Sequence, residues 1–149
     1  MKFPRREIVE AVRKQYPAGS IVVLDRMEDA QAPKPGTLGL VRGTDDTASI
    51  MVSWQGGGSL NVVYGEDRCH LANAEEKALY RLRELAPHQP ESRCPRCGET
   101  ITKTNRLLAL SRRLDIKVCE ICGTAEAMEA FAGKLTPLAD WAAVKEEWE

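Results

Sequence analysis

The chain has 149 residues; 43% are hydrophobic, 29% charged and 5% aromatic, and its formal net charge is −1. These are globular proportions, enough for one ordinary domain or two small ones, and a pI near 6.2 is low for a nucleic-acid binder. No apolar run reaches a transmembrane length and the first residues lack the apolar core of a signal peptide, so a cytoplasmic protein with reduced thiols and no membrane partner is expected.

Residues 3–15 have the pattern of an amphipathic helix, with Pro4 in its first turn and Ile8, Val9 and Val12 on one stripe. Tyr16-Pro17-Ala18-Gly19 ends it. Strands are expected at 20–27, 37–42, 49–54 and 59–64, with a last short one around Cys69-His70-Leu71. The connections are a proline-bearing loop at 29–36, a turn at 43–46, a glycine hairpin at 55–58 and a turn at 65–67. So many short strands in so few residues suggest a small, strongly curved sheet or barrel. The three glycines at 56–58 are not followed by Gly-Lys-Ser/Thr and read as a hairpin, not a phosphate loop.

Several of these turns carry a family resemblance. Tyr16-Pro17-Ala18-Gly19, Pro35-Gly36-Thr37-x-Gly39, Val52-Ser53-Trp54, Gly58-Ser59-Leu60-Asn61 and Gly65-Glu66-Asp67 resemble a family of small bacterial and phage domains, the domain of unknown function numbered 4314, over residues 16–71. That resemblance implies an SH3-like barrel of the KOW kind, a fold that often handles nucleic acid or protein partners.

A helix is expected from Asn73 through Leu85. Asn73 and Glu76 form a capping-box start, and Ala78, Leu79, Leu82, Leu85 and Ala86 give the apolar face. Residues 87–90 (Pro-His-Gln-Pro) stop it as a linker, with His88 exposed.

The strongest signal follows. Cys94-Pro95-Arg96-Cys97-Gly98 and Cys119-Glu120-Ile121-Cys122-Gly123 are two C-x-x-C-G knuckles with 21 residues between them. That spacing is close to a four-cysteine zinc pattern: a two-residue spacer lets a tight turn aim both sulfurs at one point. Each following glycine tolerates φ > 0, which lets backbone N–H groups turn toward sulfur. With no export signal, disulfides are disfavoured, and no βαβ setting supports a redox pair. An iron–sulfur cluster is the alternative left open. Cysteine fills all four positions, so one structural Zn2+ with no open ligand place is expected. Residues 116–118 should be the strand entering the second knuckle, and Thr124 the cap of a helix through Ala132. Leu110-Ser111-Arg112-Arg113-x-Asp115-Ile116 and Thr124-x-Glu126-Ala127 make this part resemble zinc-ribbon segments of small phage and mobile-element proteins. Cys69 has no C-x-x-C partner and is expected as a small apolar core residue.

A final amphipathic helix is expected from Thr136 (cap) and Pro137 (first position), with Trp141, Val144 and Trp148 on one face. Two readings of that face stay open: packing onto the rest of the chain, or docking a protein partner through tryptophan anchors.

The expected fold class is therefore α+β. A helix (1–15) precedes an SH3-like barrel (16–72). A connecting helix and linker (73–90) then lead to a four-cysteine zinc-ribbon or treble-clef module (91–133) and a C-terminal helix (134–149). No catalytic constellation is visible: the two histidines lie in unrelated segments, and no spacing pairs the carboxylates of Asp25, Asp29, Asp45 and Asp46. Charge is segregated, with nine basic and four acidic residues over 81–118 against two and seven over 119–149. The sequence thus suggests a non-catalytic zinc-binding adaptor, of phage or mobile-element type, that binds a protein partner or forms a homodimer. Inhibition of a host system would be one form of that. The alternative is nucleic-acid binding through Arg96, Lys103, Arg106, Arg112 and Arg113. Part of that positive charge would also balance the zinc thiolates.

Overall fold

The computed structural model describes residues 3–102, 105 and 107–148. The chain divides into two compact units, Met1–Glu76 and Lys77–Glu149. Among the described residues no helix is long and apolar enough to cross a membrane.

The first unit opens with helix α1 (Arg6–Gln15), which buries Val9 and is anchored where Arg13 donates to the Thr44 carbonyl at 3.1 Å. Strands β1 (Ile21–Arg26), β2 (Leu38–Thr44), β3 (Ile50–Trp54) and β4 (Arg68–Leu71) follow. They form one antiparallel sheet in the order β3-β2-β1-β4. Its core is Val22, Leu24, Val41, Ile50, Val52, Trp54 and Val62. Period-2 alternation delivers these residues: β3 reads buried, exposed, buried, half-buried, buried along its five residues.

Two expectations for this unit need correction. β2 runs through Gly43 and Thr44, so the turn begins only at Asp45. A register shift between Val41 and Gly43 absorbs the extra residue. The strand expected at 59–64 shrinks to one bridge, Ile50 with Val62. Gly56, Gly57 and Gly58 all take positive φ, and the Trp54 indole donates to the Leu60 carbonyl at 2.9 Å, which holds the returning chain off β3. The Asp67 carboxylate then accepts the Val63 N–H at 2.8 Å and starts a turn. The sheet is consequently open, not a closed barrel.

Glycine is required at Gly39 for space. A Cβ there would lie 2.4 Å from Val52 Cγ1 and 2.7 Å from the Trp54 ring. The tryptophan lies across bare backbone.

The Asn73–Glu76 capping box forms as expected: Glu76 N–H to Asn73 Oδ1 at 2.8 Å and Asn73 N–H to Glu76 Oε1 at 3.0 Å. Helix α2 (Ala74–Leu85) follows, and a 3-10 turn (Ala86–His88) ends it. His70, on β4, has Asp25 at Nδ1 (2.8 Å) and Glu76 at Nε2 (3.2 Å). Sequence reasoning gave His70 no role, because nothing in the order of residues brings Asp25 beside it. The strand register Leu24 with Cys69 does that.

In the second unit α2 presents Ala78, Leu82 and Leu85 to a core shared with Cys94, Ile116, Val118, Cys119, Cys122, Leu138, Trp141 and Ala143. The remaining elements are the hairpin β5 (Leu108–Leu110) and β6 (Lys117–Cys119), helix α3 (Glu120–Ala132), a 3-10 turn (Leu138–Asp140) and the short helix α4 (Ala142–Lys145). The outer edge of β6 is covered by one side chain. The Gln89 amide donates to the Lys117 carbonyl at 2.9 Å and accepts its N–H at 2.8 Å.

Two outcomes follow. Gly39→Ala should cost about 1–3 kcal/mol of the first unit's stability through overpacking, read by denaturant melts of the full chain. The hydrogen bond to Asp25 leads the effects that raise the His70 pKa above its ordinary 6.5, with Glu76 adding to it against a smaller desolvation effect. Because the folded value is raised, the stabilisation is complete below the unfolded pKa and fades as pH rises through the folded one. A proton NMR titration should place His70 above 6.5, and Asp25→Asn should bring it back down.

Candidate metal centre

The four knuckle cysteines converge. Cys94 Sγ lies 3.8 Å from Cys122 Sγ, and Cys97 Sγ lies 3.9 Å from Cys119 Sγ. All four sulfurs are within 4.8 Å of one another, and all four cysteines are free thiols. These distances are far beyond a sulfur–sulfur bond and suit four donors around one ion. The quartet can hold a metal.

Each pair is placed by a different element. The first sits on a tight hairpin, closed by Cys94 N–H to the Glu99 carbonyl at 3.0 Å and Ile101 N–H to the Ser92 carbonyl at 2.7 Å. Gly98 ends the knuckle at φ 80°, and a Cβ there would meet the Ala142 Cβ at 3.0 Å. The second pair sits at the start of α3, where Cys119 is the N-cap and Cys122 lies in the first turn. The expected cap at Thr124 is therefore displaced by five residues to Cys119. Gly123 is correspondingly helical and lacks the positive φ expected of it. It is small because Ala109 of β5 packs 3.4 Å from where its Cβ would be.

The electrostatics favour thiolate at Cys94 and oppose it at Cys97, where burial leads, and at Cys122. The Cys94 thiol is pulled down to about 4, chiefly by the hydrogen bond from Cys122 and also by the backbone N–H groups of Cys119, Cys97 and Arg96. The Cys119 N–H reaches Cys94 Sγ at 3.3 Å. The hydrogen bond that Cys122 gives to Cys94 pushes the Cys122 thiol upward, with burial and the Cys94 charge adding to it, so in the metal-free quartet Cys94 carries the first negative charge. An ion at the centre removes the conflict by holding all four as thiolates.

Around the quartet lies a shell that the sequence did not single out. The Arg96 side chain, 11% exposed, pairs with Glu129 of α3 at 2.6 Å, donates to Thr136 Oγ1 at 3.2 Å and also faces Cys122. Glu129 in turn accepts the Thr136 N–H at 3.0 Å. Glu126, one turn beyond Cys122, is fully buried, and its two carboxylate oxygens each lie 2.8 Å from the donating Ser111 hydroxyl. The run Glu126-x-x-Glu129 on the ligand-bearing helix was the available signal.

The other expected site residues separate. Arg96 is committed to the shell just described. Arg113 donates to the Thr136 carbonyl. Arg112 is exposed, and Lys103 and Arg106 lie outside the described residues. The tryptophan tail is not a free face. Trp141 is 0% exposed in the module core, and Ala142 and Ala143 donate backbone N–H groups to the Arg96 and Pro95 carbonyls at 3.1 and 2.9 Å. Val144 packs half-buried on the same core. Trp148 lies 4.2 Å under the Arg93 guanidinium, and Arg93 and Trp148 both bond Glu146. The expected helix from Pro137 is only a 3-10 turn and one helical turn, because it wraps the first knuckle instead of standing alone. Cys69 is half-buried, and burial pushes its thiol up to about 11, which makes it unreactive.

With this geometry in place, relatives can be compared. Residues 5–72 match the family model of a domain of unknown function, DUF4314. The match takes in α1, which the resemblance over 16–71 left out, and ends immediately before the Asn73 cap of α2. The metal-holding unit lies outside it. No curated protein and no solved structure matches the chain.

Because Arg96 joins the first knuckle to the ligand-bearing helix, Arg96→Gln should weaken metal retention about tenfold, the low end for an outer-shell change. Chelator competition on the full chain measures it. Unchanged retention would show that Arg96 braces the fold alone.

Proposed function

We propose that the protein is a non-catalytic protein-binding adaptor whose second unit is built around one structural Zn2+. The observation that carries this reading is the closed all-cysteine quartet. A tetrahedral zinc with bonds of about 2.3 Å sets its sulfurs about 3.8 Å apart; Cys94 with Cys122 and Cys97 with Cys119 lie at 3.8 and 3.9 Å. A catalytic zinc keeps one position for water or substrate, and four thiolates leave none. The arrangement of knuckle hairpin, β5–β6 hairpin and a helix bearing the second pair at its N-terminus is that of a treble clef rather than a ribbon.

Protein binding is favoured over nucleic-acid binding by what has become of the charges. Arg96 and Arg113 are spent on the fold, and Arg93 is stacked on Trp148. Apolar side chains remain outside instead: Leu107, Leu110, Ile121, Met128, Phe131 and Leu135 are all exposed. An exposed apolar cluster of this kind marks an interaction surface. The accessory role in a phage or mobile element rests on the resemblance of the zinc segment alone.

Native mass spectrometry of a preparation not treated with nuclease should find one zinc and no bound nucleic acid. Co-purifying nucleic acid that is lost log-linearly with salt would replace this reading with the nucleic-acid one. In a Trp54→Phe background, Cys119→Ser should lose the zinc and shift Trp141 emission to the red. Retention of the full zinc content in that variant would remove the structural-site argument.

A further inference from the structure

Helix α3 is amphipathic the wrong way round for a surface helix. Its inner face carries Cys122 and Glu126, a ligand and a buried carboxylate, with Glu129 tied to Arg96 beside them. Its outer face carries Ile121, Thr124, Met128 and Phe131, spaced i, i+3, i+7 and i+10, with Leu135 just past its end. Ile121 is 57% exposed, Met128 69% and Phe131 97%. The stripe thus grows more exposed from Ile121 to Phe131.

We propose that the stripe is the interface of a homodimer, in which α3 pairs antiparallel with α3 of a second copy about a two-fold axis near Met128. The proposal rests on the protein-binding reading above and names the partner. Two features of the stripe select a second copy. The first is shape. An antiparallel two-fold at that point brings Met128 against the partner's Met128, Phe131 against the partner's Thr124, and Ile121 against the partner's Leu135. Each of these contacts is made twice, i with j and j with i, as an isologous contact requires.

The second feature is charge. Among the described residues, α3 and the residue after its cap place Glu120 at the helix start and Lys134 just beyond its end beside the stripe; both are exposed, and neither has an ion-pair partner among the described residues. They are 14 positions apart and centred on Ala127. The same two-fold therefore sets Glu120 beside the partner's Lys134, and Lys134 beside the partner's Glu120. A parallel pairing would instead oppose like charges at each end. Glu120 also lies in the first turn of α3 and Lys134 follows its C-cap, so each complements the dipole of its own helix while reaching across.

Sedimentation equilibrium of the zinc-loaded full chain over a concentration series tests this, with zinc content and far-UV circular dichroism as folding controls. The wild type should show a concentration-dependent monomer–dimer equilibrium. Phe131→Ser removes two buried rings per dimer and should weaken the dissociation constant about a hundredfold or more. Glu120→Lys and Lys134→Glu each set like charges together at two symmetric places and should each weaken it about threefold to tenfold. The double variant E120K/K134E should restore the wild-type value.

A chain that stays monomeric at every concentration overturns the dimer. So does a dimer indifferent to Phe131→Ser. A dimer that needs Phe131 but gives no rescue in the double variant overturns the antiparallel two-fold. None of these results touches the protein-binding reading, whose own failure is bound nucleic acid in the native spectrum.

Discussion

The second unit depends on one constraint: four sulfurs must meet at a point. Cys94 and Cys97 come from a hairpin, and Cys119 and Cys122 from a strand–helix junction. Neither piece has enough apolar surface to hold the other. The core around them, with Trp141 and Ile116 fully buried, is assembled from α2, the β5–β6 hairpin and the C-terminal turns, and its three buried cysteines, Cys94, Cys119 and Cys122, are all metal-ligand candidates. Without an ion, Cys94 as thiolate opposes ionisation of Cys122 beside it. If the quartet holds its metal, folding and metal binding are one event in this unit, whereas the first unit is built on an apolar core of its own.

How much of this was legible in sequence varies with the range of the interaction. The knuckles, the capping box at Asn73 and four of the five expected strands of the first unit are local patterns, and they stand close to where the residues place them. The misjudged features were decided by contacts distant in sequence. The start of α3 moved to Cys119 because the helix must carry Cys122 inward. The strand at 59–64 was lost because Trp54 takes the Leu60 carbonyl out of the ladder. The terminal tryptophans looked like anchors on a free helix, since 16 residues of tail carry no sign that Pro95 and Arg96 offer them carbonyls. The quartet was readable in full, whereas its shell of Arg96, Glu129 and Thr136 spans forty residues and has no motif.

The charge gradient has a similar history. A basic middle followed by an acidic end suggests opposite partners for the two halves. In the folded unit they are each other's partners: Arg93 with Glu146, Arg96 with Glu129, Arg81 with Glu147. Exposed pairs of this sort add little stability. Arg96 with Glu129 differs because it is largely withdrawn from water and fixes the helix to the knuckle. The segregation of charge along the chain is therefore better explained by internal neutralisation than by a polyanionic ligand.

That leaves the question of why this unit leaves several apolar side chains in solvent. An ordinary surface helix turns its apolar stripe inward, because that is what holds it to the rest of the protein. In α3 the inward attachments are a ligand, a Ser111–Glu126 hydrogen bond and an Arg96–Glu129 ion pair. All of these are polar, and all are directed to the metal side. The helix is therefore already fixed before any apolar contact is made, and Ile121, Met128 and Phe131 are free of that duty. A Phe at 97% exposure gains nothing for the monomer. In the dimer proposed above, its place on a helix already fixed by polar contacts would hold it in position before the partner arrives, which would lower the ordering cost of association.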